Sequence, residues 1–472
     1  MQLKSFFAIA LTIRALTGLS QNFYFGADLS YVNEMEDCGV VYTELGKPKD
    51  LYQIFADHDC NLVRLRLWHT PAWYDTLNTG KRYSDFRDLC KSIQRARSAE
   101  MKVLLDFQLS DTWADPNRQL APFAWQGVLD NLPVLKDSLY NYVYNTLFGL
   151  DRAGLLPEMV QIGNETNRGI LLSPKIDGEG WSLDWHRNSQ LFNRAIQAVR
   201  DVEKKTGKTI KIAVHIAGPA DAGWLVEGLW SHGVTDFDII GLSYYWAWHK
   251  PTSIEDAGNV VSELLKDYRG KAVMIFETGY IWTNQWNDDA PNIITEVHHN
   301  YAPASVENQR KWLIDMTQEV MNRGATGVLY WEPAWQSSPC RTPWGKGSHQ
   351  EHATYFDFQN NLLEQGGIDF MTHAYPQKAF SEKPAPFASF TIRSDKSQRK
   401  LSLKLKGFSR HKSLEIKLLD KDGVLKSSQI FNDLTKSKLS FPIPVLPAGL
   451  YYCAVYEGEV FKAMRGVGLK KL

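Results

Sequence analysis

Met159-Val160-Gln161-Ile162-Gly163-Asn164-Glu165 is a short apolar run that breaks at a glycine into two polar residues. A helical pattern, Asn188–Thr206, follows it, and then a second β-rich run, Ile210–His215. Strand, helix, strand is the unit of a parallel sheet, because parallel neighbours need a crossover long enough to bring the chain back to its starting edge. The same unit recurs outward in both directions. Strands are predicted at Tyr24–Asp28, Leu62–Trp68, Val103–Gln108, Ile239–Tyr244, Ala272–Glu277 and Gly327–Glu332. Helical patterns at Asp85–Ser98, Pro133–Ala153, Ala257–Tyr268 and Ser305–Arg323 separate them. Eight such strands predict an α/β fold, a (β/α)8 TIM barrel, over residues 22–377.

The character changes after Pro376. Ser381–Pro386 reads as a linker, and period-two alternation follows in Ser389–Arg393, Leu401–Leu405, Ser413–Leu418, Lys438–Pro442 and Tyr451–Tyr456. Turn residues at Asp420–Gly423 and Pro447–Gly449 punctuate these runs. Residues 386–472 are expected to form a small antiparallel β-sandwich. It contains no Trp, which favours a packing, sorting or spacer role over a second sugar-binding surface.

At the other end, Lys4 and the apolar run Phe6–Ile13 lead to small residues near Leu19, Ser20 and Gln21. Residues 1–21 are read as a secretory signal peptide and the protein as exported, to the periplasm, the cell surface or the medium. Arg14 interrupts the apolar stretch, and no segment is apolar enough for a membrane span. No cysteine lies near the cleavage region, which argues against a lipid anchor. Lys+Arg and Asp+Glu both total 53 of 472 residues, so nothing suggests nucleic acid as a partner. Five cysteines show no metal-type spacing; export permits a disulfide, but mostly buried free thiols are expected. Sixteen Trp residues gather at strand ends and loops, among them Trp113, Trp125, Trp246, Trp248, Trp282, Trp286, Trp331, Trp335 and Trp344. Aromatic faces suit the C–H faces of sugar rings, although any one Trp is as readily core.

Chemistry in such a barrel collects at the C-terminal strand ends. The fourth strand ends in Asn164-Glu165 and the seventh in Glu277. A retaining glycosidase needs two carboxyl groups roughly 5–5.5 Å apart, one to protonate the leaving oxygen and one to attack the anomeric carbon. The second strand turns Arg64, Arg66 and Trp68 to one face. One of the two arginines is expected beside Glu277, holding it ionised and low in pKa, and the spacing does not say which. Asp106 lies near the end of the third strand and Trp113 in the loop after it, and Tyr244 or Tyr245, at the end of the sixth, is placed to donate to Glu277. Trp331 and Trp335, after the eighth, are read as aromatic floor, and Asp28 and His215 close the first and fifth.

Taken together these motifs resemble the endo-β-1,4-galactanases of glycoside hydrolase family 53, over about Phe23 to Tyr375. The likeness rests on Gly26-Ala27-Asp28-Leu29-Ser30, Val63-Arg64-Leu65-Arg66-Leu67-Trp68, Asp106-Phe107 with Ser110-Asp111-Thr112-Trp113-Ala114-Asp115-Pro116, Gly163-Asn164-Glu165-Thr166-Asn167, Gly241-Leu242-Ser243-Tyr244-Tyr245 and Phe276-Glu277-Thr278. The resemblance implies internal, retaining hydrolysis of β-1,4-galactan side chains of pectin, with Glu165 as general acid/base and Glu277 as nucleophile. It implies that Asn164 bonds the 2-hydroxyl in the cleavage subsite, and that the polysaccharide is the partner of a monomer. No cofactor is required for catalysis; a structural calcium, as in some bacterial members, would draw on Asp288 and Asn292 in Trp286–Asn292, which keeps only part of an oxygen-rich ligand set. Gln108 stands where the family usually has His. A mannanase or cellulase of the same clan, or a surface glycan-binding protein without catalysis, are the alternatives.

Overall fold

The computed structural model describes residues 23–173, 183–376 and, in the C-terminal part, 389–395, 400–406, 413–420, 424–432, 438–457 and 460–469. The expected signal peptide and the linker Ser381–Pro386 lie outside the described residues. Eight parallel strands close a barrel: β1 (Tyr24–Asp28), β2 (Leu62–Leu67), β3 (Lys102–Phe107), β4 (Met159–Ile162), β5 (Lys211–Ala217), β6 (Ile239–Ser243), β7 (Ala272–Glu277) and β8 (Gly327–Tyr330). Each pairs with its neighbours in chain order, and β8 pairs with β1. All eight expected strands are present. Five end earlier than expected: β2, β3, β4 and β6 by one residue and β8 by two; Gly163 (φ 75) follows β4, and Glu332 (φ 47) lies beyond the end of β8.

Period-two alternation sorts each strand into an inner and an outer set. Outward residues such as Val63, Leu65, Leu67, Val103, Leu105 and Phe107 pack under the helices in one continuous core. Burying each such Val or Leu stabilises the fold by about 1.5–3 kcal/mol relative to exposure. Inward, Leu62, Leu104, Met159, Ala213, Ile239, Met274, Phe276 and Leu329 form an apolar plug. The next inward residues toward the C-terminal end are polar: Arg64, Asp106, Gln161 and His215, all at most 1% exposed. The barrel interior is therefore apolar below and charged above.

The crossover helices include Phe86–Ser98, Leu132–Arg152, Trp185–Thr206, Ile254–Asp267 and Val306–Asn322. Their starts are capped by Asp85, Asn131, Asp184, Ser253 and Ser305, whose side chains accept backbone N–H groups of the first turn. Sequence periodicity misses the helix Pro219–Ser231, whose glycines lower its intrinsic propensity. Gly228 is needed there: a Cβ would stand 1.9 Å from the Trp185 ring.

The C-terminal part forms two antiparallel sheets. One holds β9 (Ser389–Asp395), β10 (Lys400–Lys406) and β13 (Lys438–Pro442); the other holds β12 (Leu425–Phe431), β11 (Leu414–Asp420), β14 (Gly449–Glu457) and β15 (Val460–Leu469). Leu401, Leu403, Leu439 and Phe441 of the first meet Leu414, Ile416, Leu418, Cys453 and Val455 of the second in a separate core. Alternation did not reveal β12 and β15, the edge strands of the second sheet; no residue of β12 is buried, so it has no apolar face to show.

The expectation of mostly free thiols holds for Cys60, Cys90 and Cys453. Cys38 and Cys340 instead form a disulfide across 302 residues, tying the segment after β1 to that after β8. The partners meet only because β1 and β8 are neighbours in the closed barrel.

Candidate active site

Glu277 is the last residue of β7, and its orientation is set by a β-bulge. The β6–β7 register runs Gly241↔Met274, Leu242↔Ile275, then Ser243↔Glu277, so Phe276 is the extra residue. Simple alternation would send Glu277 outward after inward Phe276; the bulge brings it opposite Ser243, on the inner side. Gly241 accommodates the displaced ring, since a Cβ there would lie 2.2 Å from Phe276 Cδ2.

Arg64 answers the question left open about the arginines. Its Nη1 lies 2.7 Å from Glu277 Oε1 and 3.0 Å from Asp28 Oδ2. Its Nη2 donates to Asp106 Oδ2 at 2.9 Å and Asn164 Oδ1 at 2.7 Å, and its Nε to Gln161 Oε1 at 3.1 Å. Tyr245, not Tyr244, donates to Glu277 Oε2 at 3.2 Å. The expected low pKa of Glu277 is corrected by this crowding. Burial pushes its carboxyl above the usual carboxylate range; Arg64 pulls it back, while Asp28 and Asp106 raise it. Glu165 is pushed higher, first by burial and then by the charge of Glu277, with Ser243 and Arg64 opposing.

Glu165 follows β4 with φ 47, a left-handed conformation costing a non-glycine residue about 1–3 kcal/mol. Its neighbours hold it there. Gln119 Nε2 donates to the carbonyls of Asn164 (2.7 Å) and Glu165 (3.2 Å), and Thr166 N–H to that of His215 (2.9 Å). Asn164 donates to Ala114 O at 2.7 Å. Gln108 supports the same loop: its Nε2 donates to Asp106 Oδ2 and its Oε1 accepts from Ala114 N–H, both at 2.9 Å.

Arg66 has a different setting. Its guanidinium lies 4.6, 4.4 and 4.2 Å from the ring centroids of Tyr31, Trp68 and Trp113, and its Nη1 is 2.9 Å from Glu332 Oε1. Trp335 stacks on Tyr31 at 4.1 Å, and Trp331 lies 5.8 Å from Trp113. Trp113 and Glu165 are half-buried, and Trp331 is buried, with 8% exposed.

Several residues read as substrate contacts are placed behind the site. Trp68, Asp106, His215 and Tyr244 have no exposed surface, and Asp28, Arg64, Arg66 and Trp335 are at most 2% exposed. Each is enclosed by neighbours: Tyr244 donates to Thr252 O at 2.9 Å, and His215 lies against Asn164 and Ser243. Sequence reading missed Gln161, Ser243 and Glu332. Gln161 was detectable as a polar residue at an inward position of an apolar strand.

Asp288 and Asn292 lie in the loop after β7. Asp288 accepts backbone N–H groups of Ala290 (2.8 Å) and Ser348 (2.7 Å), and Asn292 Nδ2 donates to Glu351 Oε1 at 3.0 Å. Asn292 Oδ1 and Glu351 Oε2 are buried without a hydrogen-bond partner. Two carboxylates and an amide fall short of the six to eight oxygens of a calcium shell, and among the described residues no three acidic, His or Cys side chains gather as a metal site.

Comparison with known proteins bears on the barrel as a whole. The family model described as glycosyl hydrolase family 53 matches residues 24–366. The chain is 46% identical over 362 residues to the arabinogalactan endo-β-1,4-galactanase of Cellvibrio japonicus (strain Ueda107), covering 75% of this chain and 93% of that one. It is 34% identical over 335 residues to the endo-β-1,4-galactanase of Bacillus subtilis (strain 168), covering 69% and 73%. Among solved structures, the catalytic domain of the family 53 enzyme of Ignisphaera aggregans superposes with a TM-score of 0.65 at 31% identity, covering 75% of this chain and 97% of that one. A barrel that carries its two glutamates around a buried arginine, matched along almost its whole length, leaves one conclusion: the chain is a glycoside hydrolase belonging to family 53.

Proposed function

We propose that the chain hydrolyses β-1,4-galactosidic bonds within galactan and type I arabinogalactan side chains of pectin, with retention of configuration. Glu165 is the general acid/base and Glu277 the nucleophile. The observation that carries the assignment is the unequal surroundings of the two carboxyls. Glu277 has a guanidinium at 2.7 Å and a phenol at 3.2 Å, which favour the ionised, attacking form. Among the described residues no cation lies within ion-pair distance of Glu165, and burial and then the charge of Glu277 favour its protonated form. The names of the Cellvibrio and Bacillus relatives support galactan as the substrate.

In this reading Glu165 gives its proton to the glycosidic oxygen while Glu277 attacks the anomeric carbon, and the C–O bond to the leaving chain breaks. Water then attacks the galactosyl-enzyme and returns a proton to Glu165. Asn164, held by Arg64 and Ala114, meets the 2-hydroxyl, and Trp113 and Trp331 offer the aromatic surface for the sugar. The step needs no cofactor and a monomer suffices. Export fits an extracellular polysaccharide; no helix among the described residues is long and apolar enough to cross a membrane.

Glu165→Gln and Glu277→Gln each reduce turnover of linear β-1,4-galactan at least about a thousandfold while melting temperature holds. Normal activity in either variant would refute the assignment. NMR of the first-formed anomer reads the stereochemistry, early product size reads internal attack, and a panel with mannan and cellulose reads the substrate.

A further inference from the structure

The neutral charge of the whole chain hides a division. Residues 386–472 hold 17 Lys and Arg against seven Asp and Glu, a net charge of +10, and the rest of the chain carries the compensating −10. A charge of that size on so short a segment governs which partners it attracts. We propose that the outer face of the β9–β10–β13 sheet is a docking surface for an acidic polysaccharide, a chain of uronate sugars with one carboxylate each. The proposal rests on the reading of pectin galactan as the substrate, because in pectin such a uronate chain accompanies the neutral side chains.

Period-two alternation builds the face. Leu401 and Leu403 of β10 and Leu439 and Phe441 of β13 point into the sandwich core, so Lys400, Ser402, Lys404, Lys438 and Ser440 point the other way. The register sets Lys404 directly opposite Lys438 and Ser402 opposite Ser440. In the neighbouring ladder Arg393 pairs with Ser402, Asp395 with Lys400 and Ser389 with Lys406. Lys400, Lys404 and Lys438 are exposed, and among the described residues none of the three is in an ion pair. Like charges directly opposite across a ladder repel and cost stability. Lys404 against Lys438 is such a pair, and a carboxylate arriving from outside relieves it.

The second sheet treats its cations differently. Lys417 lies 3.3 Å from Glu415 and 4.4 Å from the centroid of the Tyr456 ring, and Lys426 lies 2.7 Å from Asp420. That sheet is also covered on both sides at β14. Cys453 and Val455 face the core, Ala454 between them has no exposed surface, and β15 packs against the barrel helix Pro219–Ser231. The face left open, that of the first sheet, is the one whose lysines are unpaired.

The chemistry of the face selects the partner. Its ammonium groups and hydroxyls donate to carboxylate oxygens. Lys400, Ser402, Lys404, Lys438 and Ser440 include no aromatic ring to stack a nucleic-acid base and no long apolar side chain to enter a bilayer. Residues 386–472 contain no Trp, which leaves charge rather than stacking as the means of recognition. Docking there holds the barrel beside the neutral galactan that it cleaves and raises the local substrate concentration without touching the reaction.

The test is binding of the full chain to polygalacturonate, beside its methyl-esterified form, duplex DNA and anionic lipid vesicles. The wild type is expected to bind the free polyuronate at low salt and to release it near about 1 M, where screening acts within about 3 Å. Lys400→Gln, Lys404→Gln and Lys438→Gln combined should weaken binding at least about tenfold with melting temperature unchanged. Lys400→Arg, Lys404→Arg and Lys438→Arg combined should keep it. Both variants should match the wild type in kcat/KM on free linear galactan, whereas on intact pectin the glutamine variant alone should fall. No binding by the wild type, equal binding by the glutamine variant, equal binding of the esterified polymer, or tighter binding of DNA or vesicles overturns the proposal. A wild type inactive on linear galactan would overturn the substrate reading itself; activity there without polyuronate binding overturns only the docking surface.

Discussion

Arg64 and Arg66 stand two residues apart on one strand, face the same way and are equally buried, yet they live in opposite environments. Arg64 has five acceptors around it, three of them carboxylates. Arg66 has three aromatic rings, one carboxylate, and two nitrogens without a hydrogen-bond partner. Depth in the barrel makes the difference. At the level of Arg64 the neighbouring strands still face inward and supply side chains from β1, β3, β4 and β7. One step higher the strands end, and the loops after β1, β3 and β8 close over Arg66 with Tyr31, Trp113 and Glu332. The first arginine organises charge for the reaction; the second is a strut for the aromatic wall.

Arg64→Lys tests that contrast most severely. A single ammonium cannot serve the fork of acceptors, so kcat on galactan should fall about a hundredfold or more, with the fold preserved by circular dichroism. Survival of turnover would remove the distinction between the two residues. Arg66→Met should do the reverse, costing about 3 kcal/mol in denaturant unfolding as Glu332 loses its partner, while KM rises more than kcat falls. A kcat loss as large as that of Arg64→Lys would mean that both arginines serve the chemistry.

Glu34 sharpens the comparison at a smaller scale. It lies beside the Arg66 cage, accepts from the Tyr74 hydroxyl at 2.6 Å, and burial pushes its carboxyl up to about 7. A carboxyl with a raised folded pKa binds its proton more tightly in the native state, so stability is greatest below its unfolded pKa and declines as pH rises toward about 7. Glu34→Gln should abolish that decline, adding about 3 kcal/mol at pH 8 and nothing at pH 4. The smallest effect is expected far from both arginines. Chelation with EDTA should leave kcat unchanged, and any response should be confined to melting of the Asp288–Asn292 loop.

How much of this was legible before folding differs between elements. The eight strands were, because alternation and helical spacing are local consequences of burying one face. The position of both glutamates at strand ends was too, since Gly163 and Thr278 mark where apolar runs stop. What lay hidden were partners. The Cys38–Cys340 bridge joins residues brought together only by closure of the sheet. The strand β12 carries a weak pattern because none of its residues is buried. His215 and Trp68 looked available to substrate because strand-end position says nothing of what the loops above will cover.

The amino-acid sequence by itself determined the barrel, the two antiparallel sheets and the presence of two carboxylates at its mouth, since hydrophobic period and chain punctuation act over a few residues at a time. The tertiary structure alone decided which arginine meets Glu277, which tyrosine donates to it, and that Glu277 faces inward at all. That last point turns on one extra residue, Phe276, in the β6–β7 register. A bulge is a property of two strands paired together, and pairing exists only after the chain has folded.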